Sequence, residues 1–334
     1  MKPSRPMAVL LAVVLLSANI PLSAGDKDKK KDVDAIGDRK VAHRSLISQE
    51  KEIAAGKQYA TEIDHTAKMV TDPVVNEFVN RLAQNIARNS DLTIPLTVKV
   101  IDDPSLNAFA LPGGFLYVNS GLILAADEEA QVAGVVAHEI AHAAARHWAS
   151  QMTKGMLLQY IMIPLIFVPM SYPVYIGASQ ALNFGIPIAF MKFNRSAEAE
   201  ADMLGLQYMY KAGYDPSAYV SFFGKIIEQD RRSPGSVPTV FASHPPTPER
   251  IVASEKEIKE ILPTKPQYLV STSEFDDVKG RLQSIMSMKR KTDKKEGPTL
   301  RKREAGDTTT TDTQTTGTSK DDSEDKPPVL RRRD

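Results

Sequence analysis

Between residues 45 and 89, the apolar residues Ile53, Val70, Val75, Phe78, Leu82 and Ile86 recur at helical spacings, and Asp72-Pro73 marks a helix start. Two helices are predicted there. Residues 96–101, 108–111 and 115–119 are rich in valine, leucine and aromatics, and Pro112-Gly113-Gly114 separates the last two runs. That pattern predicts a small sheet containing a hairpin. Helical spacing returns over residues 128–149, behind Asp127, Glu128 and Glu129, acids that suit the positive end of a helix. Further helices are predicted over residues 196–212, which stop at Gly213, and over residues 216–230 and 248–261. The fold class is α+β, mainly helical, with a small sheet.

The flanks read differently. Residues 1–24 carry Lys2 and Arg5 ahead of an apolar run from Met7 to Leu16, then the small residues Ser23 and Ala24. This is the build of a secretory signal peptide, with an uncleaved membrane anchor as the alternative, so export is expected and the periplasm is the expected location. Residues 25–44 are charged and poor in apolar side chains, which predicts a flexible mature N-terminus. A globular domain over residues 45–288 follows, and the polar, repetitive residues 289–334 are expected to be a disordered tail. Within the domain, residues 156–191 contain no charged side chain but hold Pro164, Pro169, Pro173 and Pro187. Such an insertion could touch a membrane, plug a cleft or join the core, and four prolines argue against one regular spanning helix.

With 42% apolar residues, the 334-residue chain can bury a substantial core without staples. Lys plus Arg number 42 against 41 Asp plus Glu, a balance that offers nucleic acid no general attraction. The absence of cysteine excludes disulfides, thiolate metal sites and a cysteine nucleophile.

One motif carries chemistry. His138-Glu139-Ile140-Ala141-His142 is an HExxH pattern. At about 100° per residue, its two histidines lie about 40° apart on one helix face, where both imidazoles can share a zinc ion. Glu139, one step round the helix, is placed to take a proton from water. A catalytic zinc site needs a third protein ligand, and Glu198 in Asn194-Arg-Ser-Ala-Glu198-Ala-Glu200-Ala-Asp202 is the candidate. Asp202, four residues on, shares its face and suits the free N–H of a ligand histidine. Extrapolating one helix past His142 turns His147 about 140° away, which argues against a ligand role. His43 and His65 have no ligand partner nearby in sequence, and His244 sits in a proline-stiffened loop.

Taken together, Asn107-Ala-Phe-Ala-Leu-Pro-Gly-Gly114, Val118-Asn-Ser-Gly-Leu122, His138 to His142, Glu198 to Asp202 and Ser243-His-Pro-Pro246 resemble the gluzincin metallopeptidases that include HtpX, the CAAX prenyl endopeptidases and the BepA-type proteases. The resemblance spans roughly residues 45–262. It implies a zincin-type domain with a small sheet beside the HExxH helix and one zinc per chain. In that scheme Glu198 is the third ligand, Asp202 steadies His138, and His244 lies near the metal as an oxyanion donor or as occupant of the open position. It also implies that Asn107, Ala108, Phe109 and Ala110 border the cleft as a strand to which an extended, unfolded polypeptide adds. The expected function is exported zinc endopeptidase acting on unfolded or misassembled envelope proteins. A chaperone or assembly factor that cuts little is the alternative.

Overall fold

The computed structural model describes residues 29–166, 194–232, 244 and 247–296. The expected signal peptide, most of the uncharged insertion and nearly all of the tail lie outside them. Among the described residues no helix is long and apolar enough to cross a membrane.

Two helices open the domain, α1 (Gln49–Thr66) and α2 (Pro73–Arg88). Helix α2 starts where its residues can satisfy the free amides of a first turn. Asp72 accepts from the amides of Val74 and Val75, and Pro73, with no amide to satisfy, follows it. Its apolar stripe of Val75, Phe78, Val79, Leu82 and Ile86 is buried. Strands β1 (Thr97–Ile101), β2 (Ala108–Leu111) and β3 (Phe115–Asn119) then form a sheet in the order β1-β3-β2. β1 runs parallel to β3, with Thr97 opposite Phe115. β2 runs antiparallel to it, with Ala108 opposite Val118, through a turn where Gly113 and Gly114 adopt φ of 80° and 86°. Among the described residues β2 is therefore an edge.

A short helix, α3 (Ser120–Ala125), leads into α4 (Glu129–Ala144), the centre of the domain. Every residue of α4 except Ala143 is buried, because α2, α6 (Arg195–Ala212), α7 (Ser217–Arg232) and β2 all pack on it. Small residues permit this approach. A methyl group added at Gly205 on α6 would lie 3.1 Å from the His138 amide nitrogen. Helices α8 (Pro248–Ile261) and α9 (Ser273–Glu296) complete the described fold.

Three features depart from the reading of the sequence. First, the helix expected over residues 128–149 is broken. α4 ends at Ala144, Arg146 adopts a left-handed φ of 55°, and α5 (His147–Ile166) begins afresh. That conformation costs a non-glycine residue about 1–2 kcal/mol. Arg146 is held in it by donating to Glu52 Oε2 at 2.7 Å and to the Ile47 carbonyl at 2.8 Å.

Second, the described part of the supposedly flexible segment 25–44 is packed against the domain. Arg39 is 7% exposed and donates to Asp91 at 3.0 Å and Gln207 at 2.6 Å. Val33 and Val41 are buried with it. Composition misled here because a few long-range contacts, invisible in local hydrophobicity, hold a charged stretch in place. Third, α9 was not anticipated, although Phe275, Val278 and Leu282 are spaced for one buried helical face.

Candidate metal centre

The HExxH residues lie on α4 and the candidate third ligand lies on the first turn of α6, whose N-cap Asn194 accepts from the Ala197 amide. The tight crossing at Gly205 brings the two helices together. Nε2 of His138 and Nε2 of His142 are 3.1 Å apart, and each is 3.6 Å from a carboxylate oxygen of Glu198. Ligands about 2.05 Å from a tetrahedral ion stand about 3.3 Å from one another, so these three fit zinc. His244 joins them, and its Nδ1–H donates to Glu198 Oε1 at 2.7 Å.

The protonation pattern makes the same point. Nδ1 of His138 is 3.0 Å from Asp202 Oδ1, an acceptor, so the neutral ring carries its hydrogen there and turns the Nε2 lone pair toward the shared point. Glu198 Oε2 is buried without a hydrogen-bond partner, although Arg250 Nη1 stands 3.1 Å away as an ion pair. Lone pairs and a carboxylate converging inside a protein are the donor set a divalent cation satisfies.

Without an ion, the surrounding charges act on the two histidines in opposite directions. Burial opposes charge on His138, but Asp202 and Glu198 outweigh it and push its pKa up to about 9. His142 is held well below the ordinary histidine value, by burial first and by His138 next. Burial alone would raise Glu198, yet the neighbouring His138 and the hydrogen bond from His244 bring it down to about 2. Asp202 is likewise depressed despite burial, chiefly by Arg250. Both carboxylates are therefore ionised at neutral pH.

Several of these partners are not apparent in the sequence. Arg250 grips Asp202 with both arms of its fork, Nε to Oδ2 at 2.8 Å and Nη2 to Oδ1 at 2.6 Å. Tyr219 donates a very short hydrogen bond to the same Asp202 Oδ1 and lies 3.1 Å from His138 Nδ1. Nothing in local spacing links α7 or α8 to α4. His147, turned away on the assumption of a continuous helix, instead lies with Nδ1 2.8 Å from His142 Nδ1, because the break at Arg146 redirects it.

The candidate base Glu139 faces the sheet. Its Oε2 accepts from the Ala110 amide at 3.0 Å, and its Oε1 is 4.0 Å from His244 Nε2. A cleft beside it is lined by Asn107, Ala108, Val135, His138, Phe223 and His244. The Asn119 amide bonds the Asn107 carbonyl, so residues 107, 109 and 111 turn their backbone groups toward β3, and Ala108 and Ala110 turn theirs outward to the cleft. Phe109 stacks on Tyr117 at 5.3 Å and stiffens that edge.

Comparison with known proteins extends the picture. The chain is 28% identical over 275 residues to a putative beta-barrel assembly-enhancing protease of Vibrio cholerae, covering 78% of this chain and 54% of that one. It is 26% identical over 281 residues to the beta-barrel assembly-enhancing protease of Escherichia coli, covering 82% and 56%. To the mitochondrial metalloendopeptidase OMA1 of Arabidopsis thaliana it is 36% identical over 129 residues, 39% of this chain and 25% of that one. The chain thus spans about half the length of the bacterial relatives. Residues 71–258, more than half of the sequence, match peptidase family M48 and include all four converging side chains. This chain accordingly belongs to peptidase family M48, whose members are zinc metallopeptidases.

Proposed function

We propose that this protein is an exported zinc endopeptidase that cuts unfolded or misassembled polypeptides of the cell envelope. His138, His142 and Glu198 would hold the metal. Zinc in such a site acidifies water and polarises a carbonyl. The carrying observation is the juxtaposition of the convergent donors, the Glu139 carboxylate and an outward-facing strand edge. An extended chain pairing with Ala108 and Ala110 would gain backbone hydrogen bonds that ask little of its sequence. Its scissile carbonyl would then lie near Glu139.

Glu139 takes a proton from the attacking water as the new C–O bond forms, and returns it to the amine nitrogen as the C–N bond breaks. His244, whose Nδ1–H is taken by Glu198, would support negative charge on the carbonyl oxygen from Nε2 when it carries a second hydrogen there. Asp202, clamped by Arg250, fixes the ring of His138. The relatives named for beta-barrel assembly support an envelope role, and residues 1–24 support export. Membrane contact through residues 156–191 belongs to the same reading, supported by their lack of charge and by Leu157 and Leu158, 48% and 50% exposed.

Substituting Glu139→Gln tests the assignment. Metal analysis should show zinc retained, while cleavage of casein falls by at least about 100-fold. Unchanged cleavage would exclude Glu139 as the base. Function of the variant in cells lacking the natural protein would instead favour binding and assembly over cutting.

A further inference from the structure

The acidic run on α6 offers three carboxylates, and the site described above uses two. Glu200 points to the other side, where His43, His147 and Lys30 surround it. Its Oε2 lies 2.6 Å from His43 Nε2 and 3.3 Å from His147 Nε2, and its Oε1 accepts from Lys30 Nζ at 2.7 Å. Two histidines and a glutamate suggest a second metal, but the geometry argues otherwise. Donors sharing one zinc stand about 3.3 Å apart, whereas a 2.6 Å contact is a hydrogen bond. The Lys30 ammonium adds a charge that would repel a cation.

The cluster instead continues from the metal centre. His142 turns Nε2 toward His138 and Glu198, so as a neutral ligand it carries its hydrogen on Nδ1. That Nδ1 faces Nδ1 of His147 at 2.8 Å, so His147 accepts there and must carry its own hydrogen on Nε2. Nε2 in turn faces Glu200. Each tautomer fixes the next.

We propose that His147 and Glu200 are positioning residues that orient the metal ligand His142, with His43 and Lys30 of the N-terminal segment holding Glu200 from outside. Asp202 orients His138 directly, and Glu200 does the same for His142 through one intervening imidazole. The inference rests on the reading of His142 as a ligand. It also assigns the left-handed Arg146 a purpose, since that break aims His147 back at α4.

The test measures zinc affinity of the mature chain by competition with a chromogenic chelator, beside kcat and KM on a fluorogenic peptide at saturating zinc. His147→Leu should weaken zinc about 10–100-fold and lower kcat with little change in KM. His147→Gln, whose amide both accepts and donates, should recover most of that loss. Glu200→Ala should weaken zinc by several-fold or more. If His142→Ala loses zinc while His147→Leu binds within twofold of wild type, the relay is overturned and the ligand assignment stands. If His142→Ala binds zinc as wild type does, the ligand assignment fails and the relay with it. Should His147→Leu not fold, unchanged zinc affinity in Glu200→Ala overturns the relay alone.

Discussion

Arg250 carries more of the site than its position in sequence suggests. It neutralises Asp202 and Glu198 in a setting where each carboxylate is at most 7% exposed. Removing one member of such a buried ion pair typically costs about 3–5 kcal/mol, because the charge left behind has lost its water as well as its partner. Arg250→Ala should therefore lower zinc-free stability by that amount in urea unfolding. Arg250→Lys should recover only part, since an ammonium cannot match the bidentate contact with Asp202. Equal stability of the alanine variant and wild type would show that solvent already reaches the pair. Stacking near Phe223, 5.1 Å from the guanidinium carbon, adds a second reason for arginine there.

Among the elements, the crossing of α4 and α6 decides whether a metal site exists. Gly205→Val would press a branched side chain against the backbone of His138 and move the helix that carries Glu198 and Asp202. The expected result is about 1–3 kcal/mol of lost stability from overpacking, together with weaker zinc binding. Loss of stability with full zinc affinity would mean that the helices yield elsewhere. Much of this crossing was legible in advance. Helical periodicity places His138 with His142 and Glu198 with Asp202 using only the geometry of one turn, and Pro112-Gly113-Gly114 marked β2 as one arm of a hairpin, while its place beside the cleft followed from the family resemblance. What local periodicity could not convey were contacts set by distant chain, such as Tyr219, Arg250 and the Arg39 clamp on Asp91. His147 was misjudged for a different reason, because one left-handed residue invalidates any angle counted across it.

For the whole domain, zinc would act as a crosslink between helices that are more than fifty residues apart in sequence. At free zinc 1,000-fold above its dissociation constant, binding adds about 4 kcal/mol to stability. A chelator should therefore lower the thermal midpoint by roughly 8–16 °C, at about 2–4 °C per kcal/mol for a domain of this size. His142→Ala should show no such response, and a chelator-insensitive wild type would contradict a resident ion. The same assembly couples two tasks through one bond, the Ala110 amide donating to Glu139. On the proposed reading, a guest lying along that rim would compete with Glu139 Oε2 for the same amide, while Oε1 stays turned toward His244. Arrival of the guest would then loosen one tether of the carboxylate meant to act on it.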